Sequence, residues 1–407
     1  MRYAKSIRKE CLFMIGAFML SGIITGQAAF DCLLKAKALS EDGKNSQAIS
    51  ILSSALESSN EGRLFAERAN AELNLGYYKE AISDYTNASR LDILSGEYGL
   101  ARVFALMGDA VNSTAHLEKN MKSAFRKSEK EIMLDPAFVK IENKPEWRTF
   151  WKTDWYTGSD KGIAEIEYFI SDGKTNDALS ALSEFEKNYQ GSAAVEYAEA
   201  LVNISAGKYP DAVKTLTSLS ESDPLNEKYL RVLAKAQESI GNPAGASVTY
   251  SKLIEMEIPD AGLFVQRAEC YMKTGETEKA SADISRYLGI YPDSKNALSL
   301  AGRMESAAGN NLEAITYFNK NLVLHPNDPD CYIDRANSYL LSKSWDYAAQ
   351  DYSMSLDLAP GNPDTWLKKG IALVNSGKTE DACHDFRQAL SLGSKRATEY
   401  ISRYCIK

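Results

Sequence analysis

The side chains of this chain best suited to ligate a metal or attack a substrate are three histidines, His116, His325 and His384, and the cysteines Cys32, Cys270, Cys331, Cys383 and Cys405. Metal ligation needs several such groups brought together, and short spacings of the Cys-x-x-Cys or His-x-x-x-His kind are its sequence signature. The histidines here lie in three distant stretches, and none has Cys, Asp or Glu at ligand spacing. No nucleophile elbow, phosphate-cradling glycine loop or paired-carboxylate motif is present either. The catalytic, cofactor-binding and metal residues are therefore read as none, no cofactor is expected, and the chain reads as a non-enzyme.

Binding chemistry is better represented. Lys228, Arg231 and Lys235 are spaced i, i+3, i+7 and would make a basic stripe on one helix face, which Arg303 could extend. Tyr197, Leu201 and Ile204 hold equivalent positions one stretch earlier, so the surface would be amphipathic there. Such a face suits an acidic segment or a C-terminal carboxylate, held by charge-assisted hydrogen bonds; an ordinary solvated face is the other reading. Trp147, Trp151 and Trp155 are spaced i, i+4, i+8 behind Pro145, a residue that favours the first turn of a helix. If one helix carries all three, the indoles form a single stripe. They then serve either as an aromatic anchor for a partner or as filling for an irregular junction.

The elements that must position these residues are set by a period. An alanine returns every 34 residues, at Ala178, Ala212, Ala246, Ala280, Ala314, Ala348 and Ala382. A glycine precedes it by five positions, at Gly173, Gly207, Gly241, Gly275, Gly309 and Gly377, with Lys343 as the one departure. A fixed period of this length is the signature of stacked helix pairs. Each unit reads as helix A, a glycine turn and helix B, as in Phe264–Thr274, Gly275-Glu276 and Thr277–Leu288. Helix A carries a small residue (Ala200, Ala234, Ala268, Gly302, Ala336 or Gly370) where helix B crosses it closely. Four residues past the laddered alanine stands a large apolar one: Leu182, Leu216, Tyr250, Ile284, Phe318, Tyr352 or Phe386. Small then large at i, i+4 puts both on one helix face. The glycine supplies the left-handed conformation that ends helix A. Pro224, Pro292, Pro326 and Pro360 stop helix B, each lacking an amide hydrogen and restricting the residue before it.

On these alanine, glycine, aromatic and proline positions the chain resembles the tetratricopeptide repeat family. The resemblance implies an all-α fold, a right-handed superhelical solenoid of helix-turn-helix repeats. It also implies a concave groove, lined by outward-facing helix A residues, for peptide or helical segments of other proteins. The lysine and asparagine set with which some members clamp chaperone tails is not reproduced, so that function is not carried over. The front half follows less regularly. "GKNSQAISILSSAL" around Ala48 and "GYYKEAISDYTNAS" around Ala81 are clear helix B segments, and "GDAVNSTAHLEKNM" sets Ser113 in the alanine position.

The expected organisation is a signal peptide over residues 1–28 and a front array of about three repeats over 29–120. An irregular tryptophan-rich connector or degenerate repeat follows over 121–158, then a seven-repeat array over 159–394 and a capping helix over 395–407. The closing "DACHDFRQALSLGSKRATEYISRYC" is similar to the ends of exported Bacteroidetes members of the family. Its Ala397, Tyr400, Ile401 and Tyr404 give an i, i+3, i+4, i+7 apolar face, a lid for a terminal repeat on which nothing else stacks. If that lid and the last helix B form a hairpin about Gly393-Ser394, Cys383 falls opposite residues 404–405. A Cys383–Cys405 disulfide or two buried thiols follow, and cleavage of the signal peptide, which carries Cys11, would leave five cysteines, so at least one thiol stays free or pairs between chains.

Residues 1–28 pair a basic start (Arg2, Lys5, Arg8, Lys9) with an apolar stretch from Cys11 to Ile24 and a small-x-small site at Gly26-Gln27-Ala28. This is the pattern of an export signal, with an uncleaved inner-membrane anchor as the alternative. The formal charge of −8 over 407 residues becomes −11 without that segment, since 43 basic side chains then face 54 acidic ones. Such a balance argues against nucleic acid as a partner, because phosphate binding needs clustered Lys and Arg. The expected protein is an exported, periplasmic or envelope-associated scaffold for protein partners. The alternative is an accessory subunit delivering substrate to a separate envelope enzyme or secretion apparatus.

Overall fold

A computed structural model describes residues 26–92 and 95–405. The expected export signal lies outside the described residues except for Gly26-Gln27-Ala28, which open the first helix. Among the described residues every regular element is helical, and the helices follow one another as ten helix-turn-helix pairs with one interruption. Three pairs come first: Gly26–Glu41 with Asn45–Leu56, Gly62–Asn74 with Tyr78–Leu91, and Glu97–Met107 with Ala110–Met121. Seven follow the interruption, from Gly158–Ser171 with Thr175–Tyr189 to Pro363–Asn375 with Thr379–Ser391, and Ala397–Tyr404 closes the chain. The all-α repeat fold expected from the ladder is thus the fold observed. The described chain divides into two compact units. The first runs to Val232 and takes in Glu255–Asp260; the second holds Leu233–Ile254 and everything from Ala261 onward.

All seven laddered alanines are fully buried, as are Ala48 and Ala81 in the front array. Opposite helix B, the small helix A residue is a seat for its large side chain. An added Cβ on Gly302 would stand 2.4 Å from the Phe318 ring, and one on Gly370 would stand 2.5 Å from the Phe386 ring. The pair in which helix A carries Ile166 instead of a small residue departs from expectation. There Leu182 is only half-buried, and Phe185 packs over Gly162, 2.4 Å from where its Cβ would be. Ser113 is accommodated because its hydroxyl, fully buried, donates to the Ala101 carbonyl at 2.9 Å.

Each A-to-B turn closes with the same backbone bond. The residue after the glycine donates to a carbonyl five positions back, as from Glu276 to Tyr271 at 2.8 Å and from Ser344 to Tyr339 at 2.8 Å. This 6→1 bond requires a left-handed residue between the helices. The register glycines supply it (φ +81° at Gly275), and so does Lys343, at φ +60°.

A polar pattern runs beside the ladder. Arg68, Arg267 and Arg335 each grip the aspartate sixteen residues on with two parallel bonds: Asp84 at 2.6 and 2.9 Å, Asp283 at 2.8 and 2.7 Å, Asp351 at 2.7 and 2.7 Å. The third guanidinium arm reaches back to helix B of the preceding pair, at Ser53, Ser251 and Asn319. Lys369 repeats the contact with Asp385 at 3.2 Å. These aspartates are nearly fully buried, so each cation compensates a desolvated carboxylate, and each of the three arginines also ties three helices together. Near Arg68 sits Glu72, also buried, with one carboxylate oxygen lacking any hydrogen-bond partner. Burial, helped by the Asp84 carboxylate and opposed by Arg68, pushes its pKa up to about 7.

The interruption is built differently. Ser128 caps a short helix, Glu129–Leu134, through a reciprocal bond set with Glu131; a 3-10 turn, Pro136–Phe138, and a second short helix, Pro145–Phe150, follow. Ile132, Phe138, Ile141, Trp147 and Phe150 bury themselves against Ala101, Ala105, Leu117 and Met121 of the third pair. Asp135 receives the Tyr98 hydroxyl at 2.8 Å and pairs with Arg102 at 2.9 Å, which fixes the segment's corner.

Two outcomes follow. Left-handed φ costs a side-chain-bearing residue about 1–2 kcal/mol, partly offset by the greater unfolded-state freedom of glycine. Lys343→Gly will therefore raise unfolding stability by about 0.5–1 kcal/mol in a urea titration. The raised Glu72 pKa means the folded state keeps a proton that the unfolded chain releases above the ordinary glutamate value of 4.5. Its contribution thus declines as pH rises from about 4.5 to 7, by up to about 3 kcal/mol. Glu72→Gln will flatten that slope, read as urea midpoints at pH 5 and pH 8.

Candidate functional site

The surfaces free to meet a partner are those the ladder leaves unused, and the sequence-expected candidates lie on the A helices. Lys228 and Lys235 are exposed on the helix Glu227–Ser239, and Arg303 is exposed on Lys295–Ala307. Arg231 does not join them as an open cation. Its guanidinium is half-buried, bonded to Glu227 at 2.7 Å and to Asp260 at 2.8 Å, so the continuous basic stripe expected of this helix is broken at its centre. Helical spacing places Glu227 one turn before Arg231, and that local pairing satisfies the charge. Tyr197 is likewise not an open contact residue: it is buried, its ring 5.3 Å from that of Tyr229, while Leu201 is half-buried.

The three tryptophans do not share a helix. Pro145 starts one as expected, but it ends at Phe150; Trp151 is its C-cap and Trp155 lies in the turn beyond. Trp147 is buried against Phe138, with centroids 5.2 Å apart, and Trp151 meets Trp147 edge-on at 5.7 Å. Trp155 stacks on Phe150 at 5.0 Å and donates its indole N–H to the Phe150 carbonyl at 2.8 Å. The rings therefore fill the end of the third pair, and an exposed aromatic anchor is not formed. A short segment with few apolar residues must spend its largest rings on its own core.

At the other end, Tyr400, Ile401 and Tyr404 pack on the last pair beside Phe386, whose ring lies 5.1 Å from Tyr400. Cys383 and Cys405 are joined as a disulfide, with Cα atoms 5.6 Å apart. Cys32, Cys270 and Cys331 are free thiols, and burial pushes the Cys270 and Cys331 pKa values up to about 11, which suppresses the reactive thiolate. Of the histidines, His384 is exposed and His116 bonds to Glu97 at 2.6 Å while stacking on Phe104. His325 caps its helix and is half-buried. Among the described residues no three His, Cys, Asp or Glu side chains group as a metal ion would need. No helix among them is long and apolar enough to cross a membrane.

One contact surface escaped the sequence reading. Lys37 of the first helix donates to the Pro259 carbonyl at 2.7 Å, and Arg63, at the start of the third helix, meets Glu257 at 2.7 Å. The Arg63 guanidinium also lies over the Phe30 ring, 5.5 Å from its centre. Residues separated by some two hundred positions give no local signal of such a meeting.

The fold defined here is an all-α array of tetratricopeptide-type helix pairs. Among solved structures, the chain is similar to a tetratricopeptide repeat protein from Parabacteroides merdae at 20% identity and a TM-score of 0.49, over 61% of this chain and 99% of that one. It is also similar to the C-terminal part of a TPR repeat-containing protein from Cytophaga hutchinsonii, at 15% identity and 0.48, over 58% of this chain and 98% of that one. The APC/C hetero-tetramer Cut9–Hcn1 aligns with 92% of this chain and 83% of its own, at 12% identity and 0.46. No family model matches the chain, and no curated protein matches it.

Because the indoles are core, Trp151→Ala will lower stability by about 2–3 kcal/mol, with a matching fall in melting temperature. An unchanged melting temperature would mean the ring is dispensable to the fold and free for a partner.

Proposed function

We propose that this chain is a non-enzymatic scaffold that binds segments of other proteins on the outward faces of its A helices. The observation that carries this reading is a division of labour within each repeat. The laddered alanines, their glycine turns and the bulky helix B residues are consumed by helix pairing, whereas Lys228, Lys235 and Arg303 stay exposed. An array of rigid pairs presenting side chains that the fold does not need is a surface for recognition. The basic start, apolar stretch and small-x-small site of residues 1–28 support export, and the Cys383–Cys405 bridge is of a kind that persists in oxidising compartments. Partners within an envelope assembly are the proposed class.

The test is photo-crosslinking in the intact cell envelope, with the reactive group introduced at Lys235 or Arg303 and, as control, at Val248, which is exposed on a B helix. A discrete protein adduct from Lys235 and Arg303 but not from Val248 is expected, on a chain whose mature N-terminus is Ala29. Equal labelling from all three positions, or a partner set that survives charge reversal of Lys228 and Lys235 unchanged, would overturn the A-face reading.

A further inference from the structure

The turn that follows the helix Pro243–Glu255 breaks the repeat's rules. In four other pairs helix B stops at Pro224, Pro292, Pro326 or Pro360, and the same register position here is Ile258, with proline displaced to Pro259. Glu257 stands left-handed at φ +52°, one of two non-glycine residues in that region among those described. The Asp260 amide closes a tight turn onto the Ile258 carbonyl at 2.7 Å. A conformation this unfavourable for a glutamate is held only where its surroundings reward it.

The reward is visible. Within the first unit this turn lies against the opening helix pairs, with the Glu257 carboxylate on Arg63 at 2.7 Å and the Pro259 carbonyl on the Lys37 ammonium at 2.7 Å. Arg63 is itself held in place by Glu61 at 2.6 Å and by the Phe30 ring beneath it. Asp260 is met by Arg231 at 2.8 Å. Two cations of the opening pairs thus read one carboxylate and one backbone carbonyl of a four-residue turn, Glu257-Ile258-Pro259-Asp260, whose second carboxylate is held by its own repeat. That is the way a helix-repeat face reads an extended peptide: charged side chains for its acids, and a donor for its main chain.

We infer that the Phe30, Lys37 and Arg63 face of the first two helix pairs is a recognition site for an acidic, turn-forming segment, and that the chain's own Glu257–Asp260 turn is its resident occupant. The site is self-occupied, so an acidic segment of a partner protein gains access by competing with the turn. This rests on the reading of the chain as a binder of protein segments.

The test uses the purified full chain and a fluorescent synthetic peptide of residues 254–262, followed by anisotropy. Tethering gives the resident turn a high local concentration, so the wild type will bind the peptide weakly. Glu257→Ala, which removes the resident carboxylate, will bind it at least tenfold more tightly. Adding Arg63→Glu on that background will abolish binding, and a peptide carrying arginine at its Glu257 position will restore it. Equal peptide affinity of wild type and Glu257→Ala, or indifference to the charge at residue 63, would overturn the inference. Restoration by the charge-swapped peptide separates lost recognition from lost folding. A negative result here leaves the crosslinks at Lys235 and Arg303 untouched, so failure of this site is distinct from failure of the scaffold reading.

Discussion

Everything in this structure depends on one steric match, a bulky side chain on helix B seated on a residue of helix A too small to hold it off. Where the seat is glycine, the Phe318 or Phe386 ring lies where a β-carbon would otherwise be. Close approach of the two helix axes lets the laddered alanine disappear completely from solvent, and the next pair can then stack on a flat surface. The pair with Ile166 shows that the match is a constraint and not a habit. With the seat filled, Leu182 loses its place, and the contact moves to Phe185 over Gly162. The repeat survives because a seat and a bulky residue still meet, three positions along.

Once apolar contact has set the spacing, the arginine clamps fix the register. An aspartate one residue before the bulky side chain of helix B points toward helix A, and an arginine one residue before the small seat reaches it sixteen positions back. The two parallel bonds fit a planar guanidinium and a carboxylate, and the remaining arm engages the preceding pair. The pattern was present in the sequence as Arg-Ala followed sixteen residues later by Asp and a large residue, at 68–85, 267–284 and 335–352. A charged residue in a helical pattern looks like a surface position until the adjacent helix supplies its partner.

Periodic features were legible because each recurs at a fixed distance and serves a purely local geometry. Helix pairs, glycine turns and the lid with its Cys383 and Cys405 ends could all be placed from spacing alone. Lys343 could be located as an irregularity, but its left-handed backbone is seen only in the structure. Residues whose partners lie outside their own repeat were illegible in kind. Arg231 looks like an open cation until Asp260 appears beside it, and the tryptophan spacing suggests one helix until Phe150 ends it. Lys37 and Arg63 carry no mark of the turn they meet.

Departures from the repeat fall into two sorts, and the distinction bears on function. Ser113 satisfies its buried hydroxyl on Ala101, and Ile166 is absorbed by Phe185, so both irregularities are repaired by immediate neighbours. Such repairs cost the molecule little and say nothing of a task. The turn at Glu257–Asp260 is different. Its glutamate is left-handed and its register proline is missing; Arg231 of its own repeat holds Asp260, but Glu257 and the Pro259 carbonyl are met by Arg63 and Lys37 of the opening pairs. A repeat protein can discard such a turn simply by restoring the consensus proline and stop, since thirty-four-residue units tolerate exchange. Strain kept where the standard solution was available, and matched to cations elsewhere in the chain, is what a segment shaped for recognition looks like.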